Sequence, residues 1–380
     1  MAHASVTRIE LAHELPRAVL ALGGETKNTL CCAAGRRACV TAPLADLGAA
    51  ADYDTFLHRV HTWPRELGIS PDVLACDLHP EYISTKTAAR PDVWPHARRI
   101  AIQHHAAHIA ACAAAENIWH ACWGLACDGT GYGTDGTLWG GEILRGSITC
   151  GFTRIARLRP LHLIGGTAAI REPWRIALAL AHAAGIDWKK PDGVPDEAWR
   201  VAQTLCDNAR LPRLYSSSLG RLFDGVSALL GIACYATHEA QAAFALEQCA
   251  GTAPGEPRLP LPWARATDGV IEFDWRPLIH TLWNDAASSP CHALAARFHD
   301  SVAAAFIQFC AAHGGPACVV CGGGVFFNRR FARTVQTVAE HCGLRCSLPR
   351  ALPPSDASLS LGQAVLAAFT PASAAAHRAD

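Results

Sequence analysis

The stretch Gln103-His104-His105-Ala106-Ala107-His108 constrains this chain more than any other. His104 and His108 stand four apart, and Ile109 to Asn117 after them is Ala-rich with no Gly or Pro, so the pattern predicts a helix. On a helix, residues i and i+4 share one face, a turn apart. Two imidazoles placed in this way can share one metal ion, and imidazole suits zinc, iron, copper or nickel. Two carboxylates at turns marked by Gly or Pro, Asp128 and Asp356, strengthen that reading. The plainer alternative is an Ala-rich helix in a chain that carries 19 histidines.

Composition sets the bounds. With 380 residues, 50% of them hydrophobic, the chain can bury a large core and more than one domain is expected. Lys and Arg total 33 and so do Asp and Glu, which argues against a nucleic-acid-coating protein or one drawn to acidic membranes. The first residues lack the basic-then-apolar pattern of a signal sequence. The apolar run Ile176–Ala184 is too short to span a bilayer and is broken by His182, so a cytoplasmic protein with no membrane partner is expected. In that compartment the 17 cysteines read as reduced thiols. Cys318-x2-Cys321 followed by Cys342-x3-Cys346 has zinc-ribbon spacing. Ala317–Cys321, however, is an apolar run entering a Gly-rich turn, where small buried thiols are the ordinary outcome.

Taken in order, Leu20–Leu30 and Ala38–Thr41 read as a turn with short strands, and Lys27 beside Gly23 and Gly24 faces either a phosphate, an acidic surface or solvent. Asp52–Leu67 has helical spacing, with Pro64 expected to end it early. Asp72–Leu78 is a buried-strand run closed by Pro80, which makes Asp77 and His79 cleft candidates or simple strand-end residues. Trp123–Cys127 and Thr137–Leu144 read as strands joined by a Gly-rich turn, Asp128 to Gly133. Glycines there allow close backbone approach to a nucleotide phosphate, and Asp128 can hold a metal beside it; any tight hairpin uses glycine as well. Pro173 is placed to start a helix, and Arg171 and Arg175 face phosphate or pair with Glu172. Within Arg221–Glu247, a mostly helical stretch interrupted near Gly231 to Thr237, Glu239 suits the hydroxyls of a ribose and Asp224 is a second polar candidate; either acid equally suits a helix start. Ala317–Val320, Gly322-Gly323-Gly324 and Phe327–Ala339 read as strand, turn and helix, a common arrangement for phosphate or adenosine. Asp356, after Pro353-Pro354, precedes a final helix that it is also placed to cap.

Seven ordered stretches together resemble a known family: DLHPEYISTKTA (77–88), QHHAAH (103–108), CDGTGYGTDGTLWGGE (127–142), GGTAAIREPWR (165–175), RLFDGVSALLG (221–231), CGGGVFFNRR (321–330) and PPSDASLSLGQA (353–364). They are similar to the carboxyl-terminal transferase half of the hydrogenase-maturation carbamoyltransferases, the HypF family, and span nearly the whole chain. That half is related to the universal tRNA threonylcarbamoyl transferase and to antibiotic O-carbamoyltransferases. The resemblance implies an α/β fold of the actin-like, sugar-kinase-like superfamily, with two ribonuclease-H-like lobes around a nucleotide and metal cleft. The lobes would be residues 1–122, joined by a returning helix at 355–372, and residues 123–354.

By the same resemblance His104, His108, Asp128 and Asp356 match the family's metal ligands, for zinc or iron. Gly129, Thr130, Gly131, Gly322, Gly323 and Gly324 match its nucleotide cradle, with Asp224, Glu239 and Asn328 as nucleoside contacts. ATP, AMP or carbamoyl-adenylate is the implied nucleotide, with magnesium as a further cofactor candidate. The implied reaction moves carbamoyl from carbamoyl-AMP to the terminal Cys thiol of a HypE-like partner, for cyanide ligand synthesis. The nucleophile is then the partner's, and no catalytic residue is assigned beyond the metal site; His105 and His79 are candidate supports around it. Three positions depart from the family pattern: Ala106 replaces a third His, Thr167 an Asp, and Glu239-Ala240-Gln241 a Glu-Gly-Gln. The family's upstream activation modules find no match here, so the chain is expected to be either a fragment or a short form helped by an adenylate-forming enzyme in trans; oligomeric state is left open. A nucleotide-binding ATPase or kinase of the same fold, a scaffold, and a small-molecule O-carbamoyltransferase are the alternatives. The histidine pair argues against a simple kinase, whose magnesium prefers oxygen ligands.

Overall fold

The computed structural model describes residues 6–208, 210–211 and 213–371; the expected lobe boundaries at 1–5 and 372 lie outside them. Two sheets organise the described chain. The first contains β1 (Thr7–Ala21), β2 (Cys31–Val40), β3 (Val73–Asp77) and β4 (Arg98–Ile102), in the order β2-β1-β3-β4. Between its strands run α1 (Ala50–Glu66) and α2 (Ile83–Ala88). β1 pairs antiparallel with β2 and parallel with β3, and β3 pairs parallel with β4.

α3 (His104–Ala115) then leads to the second sheet. Its main path is built from β5 (Cys122–Tyr132), β6 (Leu138–Ser147) and β7 (Gly151–Leu158), extended by later strands. β8 (Leu161–His162), α4 (Ala168–Arg171), α5 (Trp174–Ala183), α6 (Asp196–Asp207), β9 (Tyr215–Ser216), α7 (Leu219–Leu229) and α8 (Gln241–Ala250) follow. After them come β10 (Trp263–Arg265), β11 (Ile271–Phe273), α9 (Arg276–Asp285), α10 (Cys291–Ala312), β12 (Cys318–Gly322), α11 (Arg329–His341), β13 (Arg345–Ser347) and α12 (Leu359–Phe369). The main strand order is β10-β11-β7-β6-β5-β12-β13.

Side-chain size explains how the two sheets share one core. α12 lies on the first sheet, α3 on β5 and β12, and the two helices pack on each other. A single buried cluster accordingly joins Val19, Val73 and Ile100 of the first sheet to α3, α12, Ala126 and Val320. α3 is Ala-rich because it is crowded on several sides. A Cβ at Gly362 of α12 would sit 1.8 Å from the Ala107 carbonyl oxygen, and one at Gly322 of β12 would sit 2.8 Å from that of His108. Bulk on either helix would separate the elements that carry the site. A second cluster covers the far face of the larger sheet, where Trp123, Phe223, Phe273, Phe298 and Phe306 are buried.

Three local expectations change. β1 and β2 are far longer than the short strands the pattern suggested; Pro16 and nearby polar residues interrupt the alternation, and register shifts between Glu10 and Leu15 and between Leu15 and Val19 absorb them. Pro64 lies inside α1, which continues to Glu66. Asp128 to Gly133 is not a simple turn. β5 runs through Tyr132 with a register shift between Cys127 and Gly131, and the hairpin closes at Gly133 to Thr137. No helix among the described residues is long and apolar enough to cross a membrane.

Candidate functional site

Gln103 fixes the start of α3. Its Oε1 accepts from the Ala106 amide at 2.8 Å, while its Nε2 donates to the Tyr132 carbonyl at 3.1 Å and lies 3.1 Å from His105 Nδ1. The first turn is thereby tied to the end of β5, and the i, i+4 imidazoles face the bulge in that strand. His104 Nε2 lies 3.4 Å from Asp128 Oδ2 and 3.8 Å from Asp356 Oδ1. His108 Nε2 lies 3.7 and 3.6 Å from the same two atoms. All four donor atoms fall within 4.8 Å of one another, and both Nε2 atoms are buried without a hydrogen-bond partner.

These separations are long for hydrogen bonds and suit neighbouring ligands on one ion with bonds of about 2.1 Å. The residues therefore fit a metal ion. Asp128 is aimed by the Gly324 amide, which donates to its Oδ1 at 2.9 Å. Asp356 directs Oδ1 to the imidazoles, and the turn it opens has no side-chain cap. Asp77 holds the other side of His104: its Oδ2 is 2.9 Å from Nδ1, and both side chains are fully buried. This is the carboxylate–histidine arrangement that fixes the tautomer and ring plane of a metal ligand. His79 stacks on Tyr82 at a centroid distance of 4.3 Å, beside this group.

Electrostatics follow from burial and proximity. Burial alone would depress both imidazoles. For His104 the neighbouring Asp77 and Asp128 outweigh it and raise the pKa well above the usual value; for His108 Asp128 and Asp356 raise it. Burial would raise the Asp128 carboxyl, but the imidazoles of His104 and His108 beside it hold it well below the ordinary range. His105, buried beside His104 without such a partner, is pushed down.

A cavity of about 290 Å³ opens from this group toward α7, α8 and the segment before α11. Gly129, Glu239, Gly324 and Asn328 line it together with Asp128 and Asp356. Lys27, from the first sheet's side, pairs with Glu239 at 2.7 Å and bridges the cavity mouth. Phe244 and Phe327 stand at the rim, 58% and 57% exposed.

Other expected contacts lie elsewhere. Asp224 is buried behind Arg221, 2.9 Å from its Nη2, and does not line the cavity. Thr130 is also outside the lining. Gly131 lies flat on His104, where a Cβ would come within 2.5 Å of the ring. Gly322 presses on the backbone of His108, and Gly323, at φ 99°, on the carbonyl of Cys127. These three glycines bring the ligand-bearing elements together, and none of them lines the cavity. Asn328 lines the cavity with its side chain already engaged: Oδ1 accepts from the Phe331 amide, and Nδ2 is 2.9 Å from His299 Nε2. Arg175 pairs with Glu172 at 2.7 Å. Among the described residues the four ribbon-spaced cysteines gather no metal-ligating group.

Arg221, Ser217, Ser218 and Glu142 escaped the sequence reading of the site. Ser218 Oγ donates to the carbonyls of Asp128 and Gly129, and Ser217 donates to the buried Glu142. Two signals were available: Arg221 and Glu142 both fall inside motifs quoted above.

The sequence profile of the HypF Kae1-like domain matches residues 14–115, and that of the second subdomain of the Kae1-like carbamoyltransferase domain matches residues 124–363. Carbamoyltransferase HypF2 of Cupriavidus necator is 38% identical, aligned over 93% of this chain and 47% of its own length. A carbamoyltransferase HypF homolog of the same organism is 37% identical over 94% of this chain and 93% of its own length. The chain thus spans about half the length of the HypF2 protein and nearly all of the homolog. Full-length HypF in a phosphate- and nucleotide-bound crystal form superposes with a TM-score of 0.84 at 29% identity, over 95% of this chain and 56% of that one.

Proposed function

The chain belongs to the HypF carbamoyltransferase family, and from that premise we propose that it transfers a carbamoyl group from carbamoyl-adenylate to the carboxyl-terminal Cys thiol of a HypE-like partner in [NiFe] hydrogenase maturation. The observation that carries the proposal is the convergence of His104 and His108, their Nε2 atoms buried and unpartnered, with Asp128 and Asp356, the two carboxylates that line the cavity.

In this reading the partner's thiolate attacks the carbamoyl carbon, the carbonyl oxygen takes up negative charge, and AMP leaves. Zinc or iron held by the two imidazoles and two carboxylates would supply Lewis acidity and a template for phosphate oxygens. The chain's own residues do the positioning. Asp77 holds the ring of His104, and Gly324 holds Asp128. Glu239 offers a carboxylate to ribose hydroxyls once it leaves Lys27. Phe244 and Phe327 provide an apolar rim for the base. The cavity supplies no thiol of its own among its lining residues, which suits a nucleophile brought by the partner.

The test supplies carbamoyl-adenylate and a partner ending in Cys, then reads the partner's intact mass. A gain of one carbamoyl group on the terminal Cys is expected. It should vanish in His104→Ala and His108→Ala, whose bound metal, measured by elemental analysis, should fall to background. Transfer by metal-free His104→Ala would overturn this mechanism. An adduct on a small-molecule hydroxyl instead of the thiol would redirect the acceptor.

A further inference from the structure

α7 begins against the bulge of β5. A Cβ at Gly220 would sit 3.0 Å from the Gly129 Cα, so the first turn of α7 is pressed onto the Asp128-Gly129 segment. Ser218 caps that turn, accepting from the Arg221 amide at 3.1 Å while donating to the carbonyls of Asp128 and Gly129. Arg221 therefore enters the cavity wall at its metal-binding end and not at its mouth. It is 5% exposed, yet it lines the cavity. A Cβ built on Gly129 would meet only Arg221 Nη2 within 4 Å, at 3.9 Å, so the guanidinium faces the bare side of Gly129.

A guanidinium has five N–H donors, and a buried one left partly unmatched is costly. Asp224 takes one edge through Nη2 at 2.9 Å, and Nε is buried without a partner. The other cation in the lining, Lys27, is engaged with Glu239 at the mouth. The carboxylates near the inner end, Asp128 and Asp356, point to the imidazoles.

We infer that Arg221 is the residue that reads the anionic end of the cavity's ligand: a phosphate monoester or phosphate-linked acyl group seated over Gly129 and Gly220, beside Asp128. Asp224 anchors the guanidinium through Nη2, the atom nearest Gly129, and the anion is met by the terminal donors that this single contact leaves unused. This orients the occupant with phosphate inward and base toward Phe244 and Phe327. The inference rests on the carbamoyl-adenylate reading only in naming which phosphate compound is the natural one.

The test compares AMP with adenosine by isothermal titration, on the full chain, in wild type, Arg221→Gln and Arg221→Lys. Wild type should prefer AMP. In Arg221→Gln, AMP affinity should fall about 10- to 100-fold, the range of a hydrogen bond to a charged group, while adenosine affinity stays within about twofold. Arg221→Lys should recover part of the preference. Unchanged adenosine binding reports an intact cavity. If Arg221→Gln does not fold, Arg221→Lys decides: a reduced AMP-to-adenosine ratio supports the inference, and a wild-type ratio overturns it. Equal loss of both ligands in Arg221→Gln, no loss, or no AMP preference in wild type would each overturn it. No transfer assay is involved. An Arg221-dependent AMP preference in a protein that fails to carbamoylate the partner would fault the functional proposal and leave this inference standing.

Discussion

Glu142 offers the sharpest test of the electrostatics behind the site. Its side chain is fully buried on β6, with Oε1 accepting from Ser217 and from the Gly140 amide at 3.3 Å. Oε2 has no hydrogen-bond partner, and the nearest cation, Arg154 Nη1, is 3.6 Å away. Burial pushes the carboxyl from 4.5 up to about 7, against the opposing pull of Arg154 and Ser217. The folded state therefore keeps a proton that the unfolded state releases, and stability falls as pH rises from about 4.5 to about 7. At about 1.4 kcal/mol per unit, the loss between pH 5 and pH 8 comes to roughly 2–3 kcal/mol. Glu142→Gln cannot ionise, so it should gain that amount on the wild type between the two pH values. Urea unfolding of both proteins at pH 5, 6, 7 and 8 measures the difference and cancels the other titrating groups. A difference that stays flat would mean that Arg154 keeps Glu142 ionised throughout, refuting the reasoning.

Ala240 has φ 59° and ψ 10°, the left-handed region, immediately before α8. A Cβ there costs roughly 1–2 kcal/mol, against about 0.5–1 kcal/mol for the extra chain entropy of glycine, so Ala240→Gly should stabilise by up to about 1.5 kcal/mol. A lower thermal midpoint in that variant would contradict the assignment. Asp77→Ala removes the partner of His104 Nδ1 and should weaken metal binding about 10- to 100-fold in a competition titration against a chelator. Unchanged affinity would show that crowding within α3 alone holds the ring.

The histidine pair was readable because helical periodicity places positions 104 and 108 on one face regardless of the surrounding fold. The approach of Asp128 and Asp356 to it depends on β5, α3 and α12 meeting through Gly322, Gly362 and the Ala-rich face, which only the ordered family resemblance anticipated. Local pattern misled where glycines were concerned. They marked a turn at 128–133, yet β5 continues through them, since a bulge tolerates glycine as readily as a turn does. Asp224 looked like a ligand contact because polarity in an apolar helix attracts attention; its burial is explained by Arg221 three residues earlier on the same helix. Glu142 was invisible as a titrating group because its environment comes from Ser217 and Arg154, on other segments.

The four donor residues come from α3, β5 and the turn before α12, so the last of them is translated long after the first. A nascent chain carrying His104, His108 and Asp128 holds three of the four donors of the proposed metal site. The missing carboxylate arrives only with the segment that also covers the first sheet. The full donor set of the proposed metal site therefore exists only once the shared core has closed around α3 and α12.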